Sequence, residues 1–463
     1  MVTSAHMGHW IPLTWLTLGL DYTLWGMDAR GYHLTSLVFH AATAVAVFAL
    51  ACRLLEQALP RNTSPSDITV GAAAAALLFA VHPLRVESVA WVTERRDVVS
   101  GFFYVLTLVC YVKAATAASG KPETRLQSRW YGLSLACFAA ALLSKSMAVT
   151  LPVALLVLDV YPLRRLGGAA GWRRARPWVE KLPFFGLAIA ATAIAFTALM
   201  TLSNTPPLAN MGIGPRLLLS VYGLAFYLFK TALPIDLSPL YAVTVTISWR
   251  HFAAVIAGTV IAVSMRRRWP AFTAVWLVYA ITLLPVLGLV QNGPQAVGDR
   301  YSYLSCLGFA VLAGGAVAWR WAGSRVVRAF AAAIVLVLVI LTIQQVRIWH
   351  DSLALWSHAL AVEPGNRLAR INLGAAYVTE GRIPEAIAQY QEVLRVSRDK
   401  ARWYAVLGWL YATDGRVADA LPLLIEALRL EPGKPDACAN ARRAVKMLGL
   451  PTPPEVTACP QSG

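Results

Sequence analysis

The sequence predicts an all-α protein in two parts: a polytopic membrane helix bundle and, after it, a short solenoid of paired helices. Three observations carry this. Of the 463 residues, 57% are apolar and only 14% charged, whereas charge is about a quarter of an ordinary soluble domain. Apolar stretches recur through the first three quarters of the chain, with basic residues concentrated between them. After residue 347 that pattern stops, and a repeat with a fixed period takes over.

The apolar stretches run at roughly 33–52, 69–82, 98–114, 131–145, 147–161, 183–202, 215–233, 252–265, 271–290, 301–319 and 329–346. A spanning helix needs about 20 residues, so several become spans only with semi-polar flanks such as His82-Pro83. The net charge of +17 fits cytoplasmic loops better than nucleic acid, because the basic residues sit between apolar segments. Arg164, Arg165, Arg173, Arg174, Arg176 and Lys181, with almost no acid among them, mark loop 162–182 as inner. Lys113, Lys121, Arg125 and Arg129 mark another inner loop, and Arg266-Arg267-Arg268 and Arg320, Arg325 and Arg328 mark two more. Alternation then puts 1–32, 82–97, 203–214, 291–300 and everything after 347 outside. Three stretches lie where an even number of crossings is required. The middle one, 215–233, is therefore expected to be re-entrant or interfacial.

In the second part, Leu373-Gly374, Tyr377, Gly381 and Ala386 return 34 residues later as Leu407-Gly408, Tyr411, Gly415 and Ala420. That is the period of the tetratricopeptide helix pair. Gly374 and Gly408 let two helices approach closely, Tyr377 and Tyr411 fill the groove between them, and Ala386 and Ala420 permit tight packing. The domain limits follow: 1–32, an outer stretch with interfacial helices; 33–346, the membrane domain; 347–449, the repeats (about 367–400 and 401–434, with a preceding half-repeat and a capping helix); 450–463, a loose tail. The six cysteines show no metal spacing. Cys52, Cys110, Cys137 and Cys306 lie in or beside apolar stretches, and a disulfide between Cys438 and Cys459 is open to either outcome.

Ionisable residues in or at the edge of a bundle are costly, which makes them functional candidates. The densest run is HPLRVESVAWVTERRD, with His82, Arg85, Glu87, Glu94, Arg95, Arg96 and Asp97. Carboxylates here offer acid–base groups, and guanidiniums can grip phosphate oxygens in pairs; the plainer alternative is a solvated loop. Lys145 stands at the turn of a tight hairpin in LLSKSMAVTLP. Asp299, Arg300, Tyr301 and Tyr303 enter the tenth apolar stretch. HWIPLTWLTLGLDYTLWGMDARGYHL carries Asp21 and Asp28 among aromatics suited to the headgroup layer. All four groups fall on one face of the expected bundle, where a cavity would suit a lipid-phosphate-linked donor.

With these runs, together with LLFAVHPLRVESVAWVTERRDVVS, LLSKSMAVTLPVALLVLDVYPL and VGDRYSYL followed by repeats, the chain resembles the bacterial relatives of the TMTC-type (transmembrane and tetratricopeptide-repeat) protein O-mannosyltransferases of the GT-C superfamily. The resemblance implies a GT-C-like membrane domain in the bacterial inner membrane with its repeats on the outer, periplasmic side. It also implies transfer of a sugar, typically mannose, from a polyprenyl-phosphate donor to protein Ser or Thr engaged by the repeats. Beyond that donor the resemblance names no cofactor, and a divalent metal is left open. Members begin with a further membrane helix and an outer loop bearing an acidic pair, the expected base. Asp21 and Asp28 do not match the pair, and a start assigned too late is the expectation. The residues left are Glu94, Asp97 and Asp299 as acid–base or metal candidates, and Arg95, Arg96, Lys145 and Arg300 for the donor phosphate. His82, Glu87, Tyr301 and Tyr303 are the remaining cavity residues. The alternatives are a membrane-anchored repeat scaffold without catalysis and an enzyme resembling the O-antigen ligases.

Overall fold

The computed structural model describes residues 10–117, 126, 128–167, 171–202, 212–241, 247–288, 297–319, 324–397 and 400–460. Lys121, Arg125, Arg320, the stretches 203–211 and 291–296 and the first nine residues, to which the sequence assigned loops, lie outside them. Two compact units separate. One runs to Leu237 and resumes after Tyr241 as far as Arg347; the other holds Ser238–Tyr241 and the chain from Ile348.

The first unit begins with α1 (Pro12–Trp25), α2 (Ala29–Ala58), α3 (Pro65–Ala80), α4 (Val86–Ala90), α5 (Arg95–Ala117), α6 (Arg129–Ser144) and α7 (Leu151–Val160). It continues with α8 (Ala175–Val179), α9 (Leu182–Leu202), α10 (Ile213–Ala232), α11 (Trp249–Ser264), α12 (Pro270–Leu283), α13 (Ser302–Ser305), α14 (Leu307–Trp319) and α15 (Arg325–Ile348). Among the described residues the regular structure is all helix, with no strand, as expected. Local chemistry sets several helix starts. Asp28 caps α2 by accepting from the Arg30 amide at 3.0 Å, and Ser64 caps α3 by accepting from that of Asp67 at 3.1 Å, with Pro65 in the first turn.

Among the described residues four helices are long and apolar enough to cross a membrane: Ala29–Ala58, Val92–Ala117, Ala175–Ala198 and Arg325–Ile348. Two bent pairs raise the number to six if each is one span. The chain is thus a membrane protein, though with fewer helices of spanning length than apolar stretches. α6, α7 and α11 are each too short alone.

The expected outer loop 82–97 is not a loop. It is a string of helical turns, Pro83–Arg85, α4 and Val92–Glu94, leading directly into α5. α3 and the Pro83–Ala90 segment meet at 55°. Pro83 supplies no amide and pushes His82 out of the helical region, to φ −79°, ψ 129°. The apolar stretch 301–319 likewise bends, by 52° between Ser305 and Leu307. The two bent pairs lie against each other. At Gly71 a Cβ would stand 2.5 Å from the Gly314 carbonyl, and at Gly314 one would stand 2.2 Å from that of Gly71. Small residues at this crossing let two backbones touch, as they do between helices in lipid. Val47, Leu50, Phe79, Val105, Phe138 and Tyr303 belong to the core around α5.

The second unit is a run of antiparallel helices: α16 (Ser352–Val362), α17 (Arg367–Thr379), α18 (Ile383–Val396), α19 (Ala401–Thr413), α20 (Val417–Leu430), α21 (Pro435–Leu448) and α22 (Pro454–Thr457). The 34-residue period extends to individual contacts. Gly381 and Gly415 both take positive φ, 71° and 82°, ending α17 and α19 in a backbone conformation favourable to glycine. The next residue returns its amide to a tyrosine carbonyl each time, Arg382 to Tyr377 and Arg416 to Tyr411, both at 2.9 Å. Those arginines also cover the same tyrosine rings, at 4.7 and 4.4 Å. Gly374 and Gly408 are where helices touch: a Cβ would stand 2.7 Å from the Tyr390 ring or from Leu424. Ala386 and Ala420 are fully buried.

Residues 450–460 are not the expected loose tail. α22 lies against α20 and α21, Arg429 pairs with Glu455 at 2.9 Å, and a disulfide joins Cys438 to Cys459. Cys52, Cys110, Cys137 and Cys306 are free thiols. Alkylation of the denatured, unreduced protein should therefore modify four cysteines, rising to six after reduction. Cys438→Ser should lower the stability of the repeat unit by about 2–4 kcal/mol; six reactive thiols before reduction would contradict the pairing.

Candidate functional site

The four charged groups picked out by sequence meet in the first unit. Their register on helices explains how. From the turn Val92–Glu94 into α5, each residue rotates the side chain by about 100°. Glu94 and Asp97, three apart, share a face, and Arg95 points elsewhere. Lys145 ends α6 in extended geometry, at φ −158°. From there it reaches both acids, pairing with the Asp97 carboxylate and standing 3.6 Å from Glu94. Arg96 grips Glu94 through two N–H groups, at 2.9 and 2.6 Å.

Arg300 comes from the helical turn Asp299–Tyr301, just before α13. Its guanidinium pairs with Glu87 of α4, its backbone amide donates to the same carboxylate at 2.8 Å, and its Nε is 3.2 Å from Glu94. Three acids (Glu87, Glu94, Asp97) and three cations (Arg96, Lys145, Arg300) thus form one chain of contacts. Glu87, Glu94, Asp97, Lys145 and Arg300 are all buried. Charges this deep hold only because each is paired. Aromatic faces add to the neutralisation: Arg300 lies 5.4 Å from the Trp91 ring centre and 4.8 Å from that of Tyr301. Ser88 donates to Asp97 at 3.3 Å.

Asp97, Ser100, Lys145, Met147, Arg300, Tyr301, Tyr303 and Leu304 surround a cavity of about 10 Å³, the lower limit for one water molecule. This space is far smaller than a lipid-linked sugar, and its lining brings one acid, Asp97, together with two cations, Lys145 and Arg300. Tyr301 and Tyr303 line what space there is. His82 and Glu87 do not. His82 is buried at the bend: its Nδ1 accepts from the Leu84 amide at 3.3 Å and its Nε2 faces the Thr231 carbonyl at 3.1 Å. Asp299 is buried beside Arg300, with its carbonyl accepting the Ser302 hydroxyl at 2.6 Å.

Arg95 departs most from expectation. It is fully buried and turned to the opposite side from Lys145. There it pairs with Asp21 of α1 at 2.6 Å and donates to Ser36 at 2.9 Å and to the Tyr32 carbonyl at 2.6 Å. Thr35 donates to the other Asp21 oxygen at 2.7 Å. These contacts fasten α1 and α2 to α5, and they engage the Arg95 guanidinium away from the cluster of Lys145 and Arg300.

A second buried cluster was missed. Asp159 at the end of α7 pairs with Lys181 and with Arg165 at 3.0 Å, and it accepts the Tyr111 hydroxyl at 2.9 and 2.8 Å. Glu180 pairs with Arg165. Asp159 and Lys181 are wholly buried. Arg165 and Lys181 are therefore not solvated loop charges, as the run 162–182 suggested. An acid inside the apolar run LLVLDVYPL was the available signal. Among the described residues no group of three or more His, Cys, Asp or Glu is placed to hold a metal.

The fold and site define a helical membrane protein with a buried ionic centre and a separate repeat unit. The tetratricopeptide-repeat family profile matches residues 349–395 and 371–437. The chain is 23% identical to protein O-mannosyl-transferase Tmtc3 of Drosophila melanogaster over 459 residues, 84% of this chain and 48% of that protein. It is 30% identical to human protein O-mannosyl-transferase TMTC2 over 159 residues (34% and 17%) and 34% identical to mouse TMTC3 over 152 (32% and 14%). The chain is thus similar to proteins named as protein O-mannosyl-transferases, and it spans about half the length of the relatives that it matches over most of its own.

Proposed function

We propose that the protein transfers a sugar, mannose by analogy with its relatives' names, from a polyprenyl-phosphate donor to Ser or Thr of a protein engaged by the repeats. The observation that carries this is the joining of Asp97, Lys145 and Arg300 at one small cavity in the membrane unit, with Glu94 within ion-pair reach of both cations. Donor phosphate entering between Lys145 and Arg300 displaces their carboxylate partners, with Arg96 adding charge. The released Asp97 or Glu94, with Asp299 nearby, takes the proton of the acceptor hydroxyl. The hydroxyl oxygen bonds to the sugar's anomeric carbon as the bond from that carbon to phosphate oxygen breaks. Polyprenyl phosphate leaves with the electron pair, its charge met by the cations. In this reading the site and the repeats both face the outer side of a bacterial inner membrane.

The test is transfer of labelled mannose from polyprenyl-phosphate mannose to Ser/Thr peptides by the purified full chain in lipid nanodiscs. Asp97→Asn and Lys145→Met should each lower the rate by about 100-fold or more while the protein stays folded. Undiminished transfer in both would overturn the site. The narrowness of the cavity favours one other reading, a repeat scaffold with an inert membrane part; absence of transfer by the unaltered chain with every donor tried would support it.

A further inference from the structure

One buried cation at the site is left outside the ion pairs. Arg95 has Asp21, Arg96 has Glu94, Lys145 has Asp97, and Arg300 has Glu87. Arg85 is 4% exposed and has no carboxylate at ion-pair distance among the described residues. One of its nitrogens donates to the Ser302 hydroxyl at 3.1 Å, and its Nε has no hydrogen-bond partner. The guanidinium lies over the rings of Phe79 and Tyr303, at 5.1 and 5.6 Å.

A neutral side chain would satisfy Ser302 as well and would avoid the desolvation of a full charge, which two aromatic faces repay only in part. A buried guanidinium kept here with no carboxylate in contact is what an intermittently occupied anion site requires. Its position supports that role. Tyr303 is the wall between Arg85 and the cavity that Asp97, Lys145 and Arg300 surround. The ring packs on Gly101, where a Cβ would come within 2.4 Å, and its hydroxyl is 2.8 Å from His40 Nδ1. His40 Nε2 faces the Ala80 carbonyl, which can only accept. Nε2 therefore carries the proton, and Nδ1 accepts from Tyr303.

We propose that Arg85 is an anion-binding residue for a phosphate ester, and that Tyr303 turning away from Gly101 joins it to Lys145 and Arg300 around one phosphate group. This rests on the donor chemistry proposed above and adds a residue and a movable wall to it.

The test measures binding to the full chain in nanodiscs by ligand-dependent thermal unfolding, with a polyprenyl monophosphate, the matching polyprenyl alcohol and inorganic phosphate as probes. The unaltered protein should bind the polyprenyl monophosphate and not the alcohol. Arg85→Gln should weaken that binding about 10- to 100-fold. Ser302→Ala, which removes the contact but keeps the charge, should stay close to the unaltered protein. If Arg85→Gln does not fold, Arg85→Lys replaces it, and weaker binding than Ser302→Ala supports the assignment. Equal affinity of the folded Arg85 variant and the unaltered chain overturns the inference and leaves the donor reading standing. Binding of inorganic phosphate alone, lost in Arg85→Gln, keeps the anion site and rejects a lipid donor. Binding of neither phosphate probe overturns both.

Discussion

Arg95→Met is expected to destabilise the membrane unit by about 3–5 kcal/mol, because it leaves the Asp21 carboxylate buried without its partner. The side chains are 0% and 2% exposed, so water cannot take over the lost contact. Thr35 alone would remain on Asp21. Removing the charge at both ends should cost much less, since a matched neutral pair avoids the uncompensated burial. Asp21→Asn with Arg95→Met should therefore recover most of the loss. Unfolding midpoints of the three variants in one detergent give the cycle. An Arg95→Met protein as stable as the parent, yet weakened in donor binding, would restore the ligand role that the run TERRD suggested.

Lys181→Met should be as damaging, again about 3–5 kcal/mol, at the other end of α5. Asp159 would keep Arg165 and Tyr111, but its contact with a fully buried ammonium would be gone. This cluster ties α5, through Tyr111, to the end of α7 and to the segment between Arg165 and Lys181. The expected signature is early loss of order in 161–167 and 171–181, read by hydrogen exchange. Donor affinity of the molecules still folded should not change. A Lys181→Met protein with the parent's unfolding midpoint would show that Asp159 is satisfied without it.

The two variants concern residues that sequence treated in opposite ways. Arg95 stood out, since a guanidinium beside another in a charged run is an evident phosphate ligand. Its neighbour Arg96 does join the Glu94 cluster. One step along the helix sends Arg95 to a different set of partners, 59 to 63 residues away in sequence for Ser36 and Tyr32, which no local pattern reveals. Lys181 was one of several basic residues in a loop and gave no sign of burial. Its partner Asp159, an acid inside an apolar run, did carry such a sign. Lys145 was placed well: a lysine ending one apolar stretch and starting another has to lie at a hairpin turn, and it does.

Alone, the sequence determined the helical class, the membrane character of the first part and the repeat architecture of the second. These follow from hydropathy and a 34-residue period, which are properties of neighbouring residues or of simple spacing. It also named most of the ionisable groups that meet at the site. Tertiary structure alone decided how those charges pair, that the apolar runs ending near His82 and passing through Cys306 are bent, and that the cavity between them is nearly closed. Ion pairing depends on which helix faces meet across hundreds of residues. A buried charge is costly unless the fold brings a partner to it.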